Sequence, residues 1–189
     1  MKPLLFIAGS CADDDDFYDE IQEGYLSLSR AAAAQGYDLL MRDQPEVSGM
    51  VAAVVGSESD SMQLLLHGED DEIIQDIGHG RIQLRDGDLF AGVTPAAMVV
   101  IGGDEQTRTD AAEFMRRFPA APVLLLRQSG GLAAEMAADG KGQILEKAWE
   151  KVLPGQEPTP TACMQHGLEE LGLPASGGLG GTSGGGIGL

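Results

Sequence analysis

Three short apolar runs, each ending in small flexible residues and each followed by a helical pattern, constrain this chain more than anything else in its 189 residues. Lys2 to Ala8 (KPLLFIA) leads into Gly9-Ser10, Ala96 to Ile101 (AAMVVI) into Gly102-Gly103, and Pro122 to Leu126 (PVLLL) into Arg127-Gln128-Ser129-Gly130-Gly131. Unbroken apolar runs of this length read as strands buried on both faces, which is the condition of a parallel sheet. After the first run, apolar residues recur at Phe17, Ile21, Tyr25, Leu28 and Ala32, one face of an amphipathic helix that Gly36 stops. Tyr37 to Met41 is then the next strand. The three pieces form one βαβ unit, with the right-handed crossover such units adopt.

The second half repeats the alternation. Asp110 to Phe118 reads as a helix with Ala111, Phe114, Met115 and Phe118 on one face, stopped by Pro119. Leu132 to Ala138 reads as a helix, and so does Gln143 to Leu153, with Ile144, Leu145, Ala148, Trp149 and Val152 inward. Between the halves, Met62 to His67 reads as a strand before a polar turn at Gly68-Glu69-Asp70-Asp71. Ser48 to Val55 is a short helix or strand. Ile73 to Ile77 and Arg81 to Leu84 flank Gly78-His79-Gly80 as a hairpin. The fold class expected is α/β: a Rossmann-like three-layer domain with a mostly parallel sheet, occupying residues 1–153. Residues 154–189 hold eleven glycines and four prolines. They read as a tail with one or two helical turns at Ala162 to Leu171, disordered from about Ala175.

The formal net charge of −18 sets the expected partners. Such a surface repels nucleic-acid backbones and anionic membranes, so neither is expected as a partner. No apolar run reaches the roughly 18 residues of a membrane span, and the start lacks a signal-peptide layout. Cys11 and Cys163 have no metal-ligand spacing, and their free thiols fit a cytoplasmic protein. No metal or cofactor is expected.

In open parallel sheets ligands bind outside the carboxyl ends of the strands. Glycine there lets the backbone approach a ligand closely, and free N–H groups at a helix start hold anions. The candidate ligand-binding residues are therefore Gly9, Ser10, Gly102, Gly103, Thr107, Arg127, Ser129, Gly130 and Gly131. Arg127 is placed to meet a phosphate or carboxylate. Asp110 is the candidate catalytic carboxylate, unless it only supports the first turn of its helix. Asp13 to Asp16 precede a helix and read as caps and solvated charge rather than a metal site. His79, between two glycines, reads as a loop histidine.

The stretch Ala96 to Asp110 (AAMVVIGGDEQTRTD) resembles the glycine-rich strand-turn-helix of the LOG-like superfamily, Gly-Gly-x-Gly-Thr-x-x-Glu. This group includes nucleotide phosphoribohydrolases and the SLOG ligand-sensing domains. Pro122 to Met136 and Phe6 to Ser10 also resemble SLOG segments. Here Glu105 stands near the motif's second glycine, one extra residue precedes Thr107, and Asp110 falls where the family has its glutamate. Ser48-Gly49-Met50 matches the family's second glycine motif poorly. The resemblance implies a pocket for a nucleotide or nucleotide-derived small ligand, and a homodimer. It leaves open an N-glycosidase of the phosphoribohydrolase or deoxyribosyltransferase kind. A homo-oligomeric scaffold without ligand is the third reading.

Overall fold

The computed structural model describes residues 2–11, 16–58, 62–68, 74–77 and 80–172. Asp13 to Asp15, the acidic residues of the turn after Gly68, His79 and the tail from Ala175 lie outside them. The elements run β1 (Leu4–Ser10), α1 (Tyr18–Gln35), β2 (Asp38–Arg42), α2 (Pro45–Glu58), β3 (Gln63–His67), β4 (Ile74–Ile77) and β5 (Gly80–Arg85). They continue through β6 (Ala97–Gly102), α3 (Glu105–Arg117), β7 (Val123–Leu126), α4 (Gly131–Ala138), β8 (Gln143–Ile144), α5 (Leu145–Val152) and α6 (Pro160–Glu170).

One 8-stranded sheet has the order β4-β5-β3-β2-β1-β6-β7-β8, and only the β4–β5 hairpin is antiparallel. The α/β, Rossmann-like expectation of a mostly parallel sheet holds. The strands alternate their side chains between two cores. Leu5, Ile7, Val99, Ile101, Leu124 and Leu126 face α1, α2, α5 and α6. Phe6, Ala8, Met98, Val100 and Leu125 face α3, α4 and the 86–95 connection. No helix among the described residues is long and apolar enough to cross a membrane.

Several elements differ from the sequence reading. The ambiguous segment at Ser48 to Val55 is helical: Val47, Val51, Val54 and Val55 are buried, a period of nearly four that a strand cannot use. Gln143 and Ile144 belong to a strand, because pairing with Leu124 and Leu125 gives β7 an outer neighbour. Val152 is 51% exposed, not inward, since it lies at the end of α5. Phe17, at 42% exposure, precedes α1 instead of extending its buried face. α6 is longer than one or two turns and is not tail-like: Cys163, Met164, Gly167 and Leu168 are buried against the first core. Thr159 caps it and Pro160 opens it with the φ a first helical residue needs. Ser27 and Thr161 join α1 to α6 through hydroxyls 2.9 Å apart. The packed body thus extends past Leu153 to Leu171.

Candidate ligand site at the strand carboxyl ends

From β1 the chain moves outward in one direction through β2, β3 and β5, and from β6 in the other through β7 and β8. The strand order therefore reverses between β1 and β6, which pair from Leu5↔Ala97 to Ser10↔Gly102. Folds of this kind take ligands where two helices leave such neighbours on opposite faces. Gly9-Ser10 and Gly102-Gly103 end these two strands.

The glycine bends after β6 and β7 are brought together on this edge. Gly102 N–H donates to Ser129 Oγ at 2.7 Å, and Ser129 Oγ–H donates to Leu126 O at 2.5 Å. Leu132 N–H donates to Gly103 O, and Gly130 N–H to Arg127 O, both at 3.1 Å. The amides of Gly102, Gly130 and Leu132 are thus used within the protein rather than left free for an anion. A Cβ on Gly131 would lie 2.7 Å from Gly103 O, and one on Gly130 would lie 2.3 Å from the Phe17 ring. Glycine at these positions lets the two bends touch and lets Phe17 lie across one of them. Gly102, Ser129 and Gly130 are buried, whereas Ser10 and Gly103 are half-buried and Gly131 and Arg127 are exposed. Arg127 sits one strand further out, in a single 3-10 turn after β7.

α3 begins at Glu105, five residues earlier than its apolar face predicts, because Asp104 caps it. Asp104 Oδ1 accepts from Thr107 N–H at 2.9 Å and from Thr107 Oγ–H at 3.0 Å. The Thr107 side chain is therefore turned to the cap and buried. Burial pulls the Asp104 carboxyl upward, but hydrogen bonds from Thr107 and from the amides of Asp104 and Gln106 together outweigh it and hold its pKa below the ordinary value of 3.8. A carboxyl lowered by folding stabilises the fold above its unfolded pKa and loses that contribution as pH falls through the lower folded value. Asp104→Ala is expected to cost about 1 kcal/mol at neutral pH. In urea melts from pH 6 downward, the gap to wild type should close below pH 3.8.

Asp110 consequently lies in the second turn of α3, not the first. It is buried and receives Arg42, which ends β2: Nη2 donates to Oδ1 at 2.7 Å and Nε donates to Oδ2. Gln106 Nε2 adds a third donor at 3.0 Å. Arg42 Nη1 also reaches His67 Nδ1 at 3.3 Å, and His67 Nε2 meets Gly87 O at 2.7 Å. A guanidinium only donates and a carbonyl only accepts, so His67 accepts at Nδ1 and donates at Nε2. Two hollows flank this pair. One of about 650 Å³ is lined by Arg42, Phe90, Gln106, Thr109 and Asp110; the other, about 570 Å³, by Arg42, His67, Gly68 and Gly87.

Three residues of this edge were illegible in the sequence. Gln44 follows β2, where its Nε2 donates to Gly9 O at 2.6 Å and its Oε1 accepts from Cys11 N–H at 3.1 Å. Glu146 is 1% exposed and accepts from Gln128 N–H at 2.6 Å, anchoring the bend after β7 from below. Tyr25, an ordinary core residue of α1 by its spacing, ends in a buried hydroxyl with no hydrogen-bond partner among the described residues. Burial is the main reason its pKa is raised. Cys11 is a free, buried thiol.

No protein-family model matches the chain, and neither does any curated protein. Solved structures do. TM1055, a structural genomics target, superposes with a TM-score of 0.53 at 19% identity, covering 73% of this chain and 81% of that one. A molybdenum cofactor carrier protein from Chlamydomonas reinhardtii gives 0.58 at 13% identity, covering 90% and 98%. DNA processing protein A from Helicobacter pylori is a weaker likeness, 0.45 at 12% identity over 76% and 75%. At such identities the likeness concerns architecture alone. Strand order, switch point and superposition agree on one result: the chain has a Rossmann-like α/β fold.

Proposed function

We propose that this domain binds a nucleotide-derived small molecule in the crevice between the carboxyl ends of β1 and β6, and holds it without turnover. The observation that carries the reading is the position of Gly9-Ser10 and Gly102-Gly103. They close the two neighbouring strands at which the sheet order reverses, where such folds take their ligands. In this reading Ser10, Gly103, Gly131 and Arg127 are the accessible members of the candidate set. Gly9, Gly102, Thr107, Ser129 and Gly130 shape the crevice by letting its walls approach. The molybdenum cofactor carried by the Chlamydomonas protein is consistent with a ligand of this class.

An N-glycosidase is the second reading, because Asp110 and Arg42 line the same hollow of about 650 Å³. Against it stands the engagement of Asp110: three donors from Arg42 and Gln106 already occupy its carboxylate oxygens. A thermal-shift screen of nucleosides, nucleotides and their derivatives separates the readings. A ligand present at a hundred times its dissociation constant is expected to add about 2.7 kcal/mol of stability. Incubation of any hit is expected to release no free base. Base release that disappears in Asp110→Asn would favour the enzyme, and a screen without any shift would count against both.

A further inference from the structure

We infer that the chain has a second small-molecule site, in a cleft over β2, β3 and β5, which takes an organic acid of one negative charge with an apolar body, its acid group meeting Arg85. The cleft shares no residue with the candidate set at the β1 and β6 carboxyl ends, so the inference does not rest on the function proposed above.

The cleft follows from the order of the elements. A parallel sheet of this kind is covered by helices on both faces. Here α2 packs on one face of β3 and β5, while α3 and α4 pack on the other face of β1, β6 and β7. The crossover from β5 to β6 holds no helix, only the 86–96 connection. The α3 side of β2, β3 and β5 is therefore left without a helix of its own among the described residues. The space is a cleft of about 830 Å³, in the size range of small-molecule pockets. It runs from Leu4, Asp38 and Gln63, which open β1, β2 and β3, to Arg85, which ends β5.

The lining sets the chemistry. Leu65 is buried and Leu4 and Val93 are half-buried, which gives the cleft an apolar surface. Arg85 is half-buried and has no carboxylate at ion-pair distance among the described residues. Arg42, Arg108, Arg116 and Arg117 each have an acidic partner. With 30 acidic residues against 12 lysines and arginines, a half-buried arginine left without one is an exception. Its Nη2 donates to Ala91 O, and its Nη1 has no acceptor among the described residues. A ligand carboxylate supplies the missing counter-charge, and an acceptor for Nη1 once the guanidinium turns toward the cleft. A second negative charge is disfavoured. Asp38 lines the opposite end, where its Oδ1 accepts from Gln63 N–H at 2.8 Å, and Lys2, the other cation of the cleft, has a partner of its own. The acid group is thus directed to Arg85 and the apolar body to Leu4, Leu65 and Val93.

The test is a titration of the full chain at neutral pH with phenylacetate and hexanoate, each beside its neutral amide, followed by amide chemical shifts. At least one acid is expected to saturate with a dissociation constant on the order of 1 mM, as its small size allows. Its amide should bind about tenfold more weakly or worse. The amides of Leu65, Gln83 and Val93 should move, and those of Ser10 and Gly103 should not. Arg85→Met keeps the apolar stem, and is expected to fold as stably as wild type, because it removes an unpaired half-buried charge. It should bind acid and amide equally, whereas Arg85→Lys should retain part of the preference for the acid. Failure of both acids to saturate overturns the inference, and so does a preference for the acid that survives in Arg85→Met. A urea midpoint of Arg85→Met well below that of wild type would show that the chain's own acids already satisfy this guanidinium, and would overturn it as well.

Discussion

Phe114→Ala is expected to lose about 4 kcal/mol, enough to leave the domain barely folded. Phe114 is 0% exposed and lies on the inner face of α3. Its ring stacks on Phe6 at 5.8 Å between centroids and meets Phe118 at 5.3 Å and Phe90 at 6.0 Å. Truncation to alanine removes the transfer energy of a whole ring and opens a cavity that rigid neighbours on a strand and a helix cannot collapse into. The loss reaches the candidate site, because α3 carries Asp104, Thr107 and Asp110 as well. Phe114→Leu retains most of the volume and should cost far less. Urea denaturation of the three proteins measures both differences. A loss below about 1.5 kcal/mol for the alanine variant would mean that α3 is not held by this cluster.

Removal of the Asp110 carboxylate has the second largest expected effect. Its side chain is 9% exposed and that of Arg42 33%. Asp110→Ala leaves a half-buried guanidinium without its counter-charge. The loss from breaking a buried pair is about 3–5 kcal/mol, and the partial exposure of Arg42 brings the expected value to about 2–3. Replacement of both residues by apolar ones of similar size, Arg42→Met with Asp110→Leu, should restore much of the loss, since neither charge then needs a partner. The double-mutant cycle should give a coupling of about 2 kcal/mol. Additive effects would show that the pair does not interact in solution.

The strands were legible because a strand buried on both faces needs only an unbroken apolar run. Ala97–Gly102 and Val123–Leu126 are such runs. β8 was not, because two residues on an edge carry no period and are defined solely by pairing with β7. The start of α3 was misplaced since its first turn presents no apolar residue. The signal was the cap itself, Asp104 with its acceptor aimed at Thr107 three residues on. α6 had a similar signal in Thr159-Pro160, obscured by the glycine-rich composition around it.

The candidate site was legible only in its backbone. Glycine at positions 9, 102, 103, 130 and 131 announces close approach, and the fold gathers all five on the carboxyl edge. What sequence reasoning could not see is which groups satisfy one another. Arg42 and Asp110 stand 68 positions apart and meet only because β2 ends where α3 passes. Tyr25 has the spacing of a core residue and is one. Only the approach of Gly9 shows where its hydroxyl ends.

The central claim is that the ligand sits between β1 and β6, and the most direct test is amide chemical-shift mapping of the full chain during titration with the nucleoside and nucleotide series. The account predicts that the amides of Ser10, Gly103 and Gly131 move together and saturate with one affinity. Shifts that instead centre on Arg42, His67 and Gly87, or an unperturbed crevice under saturating ligand, would contradict it.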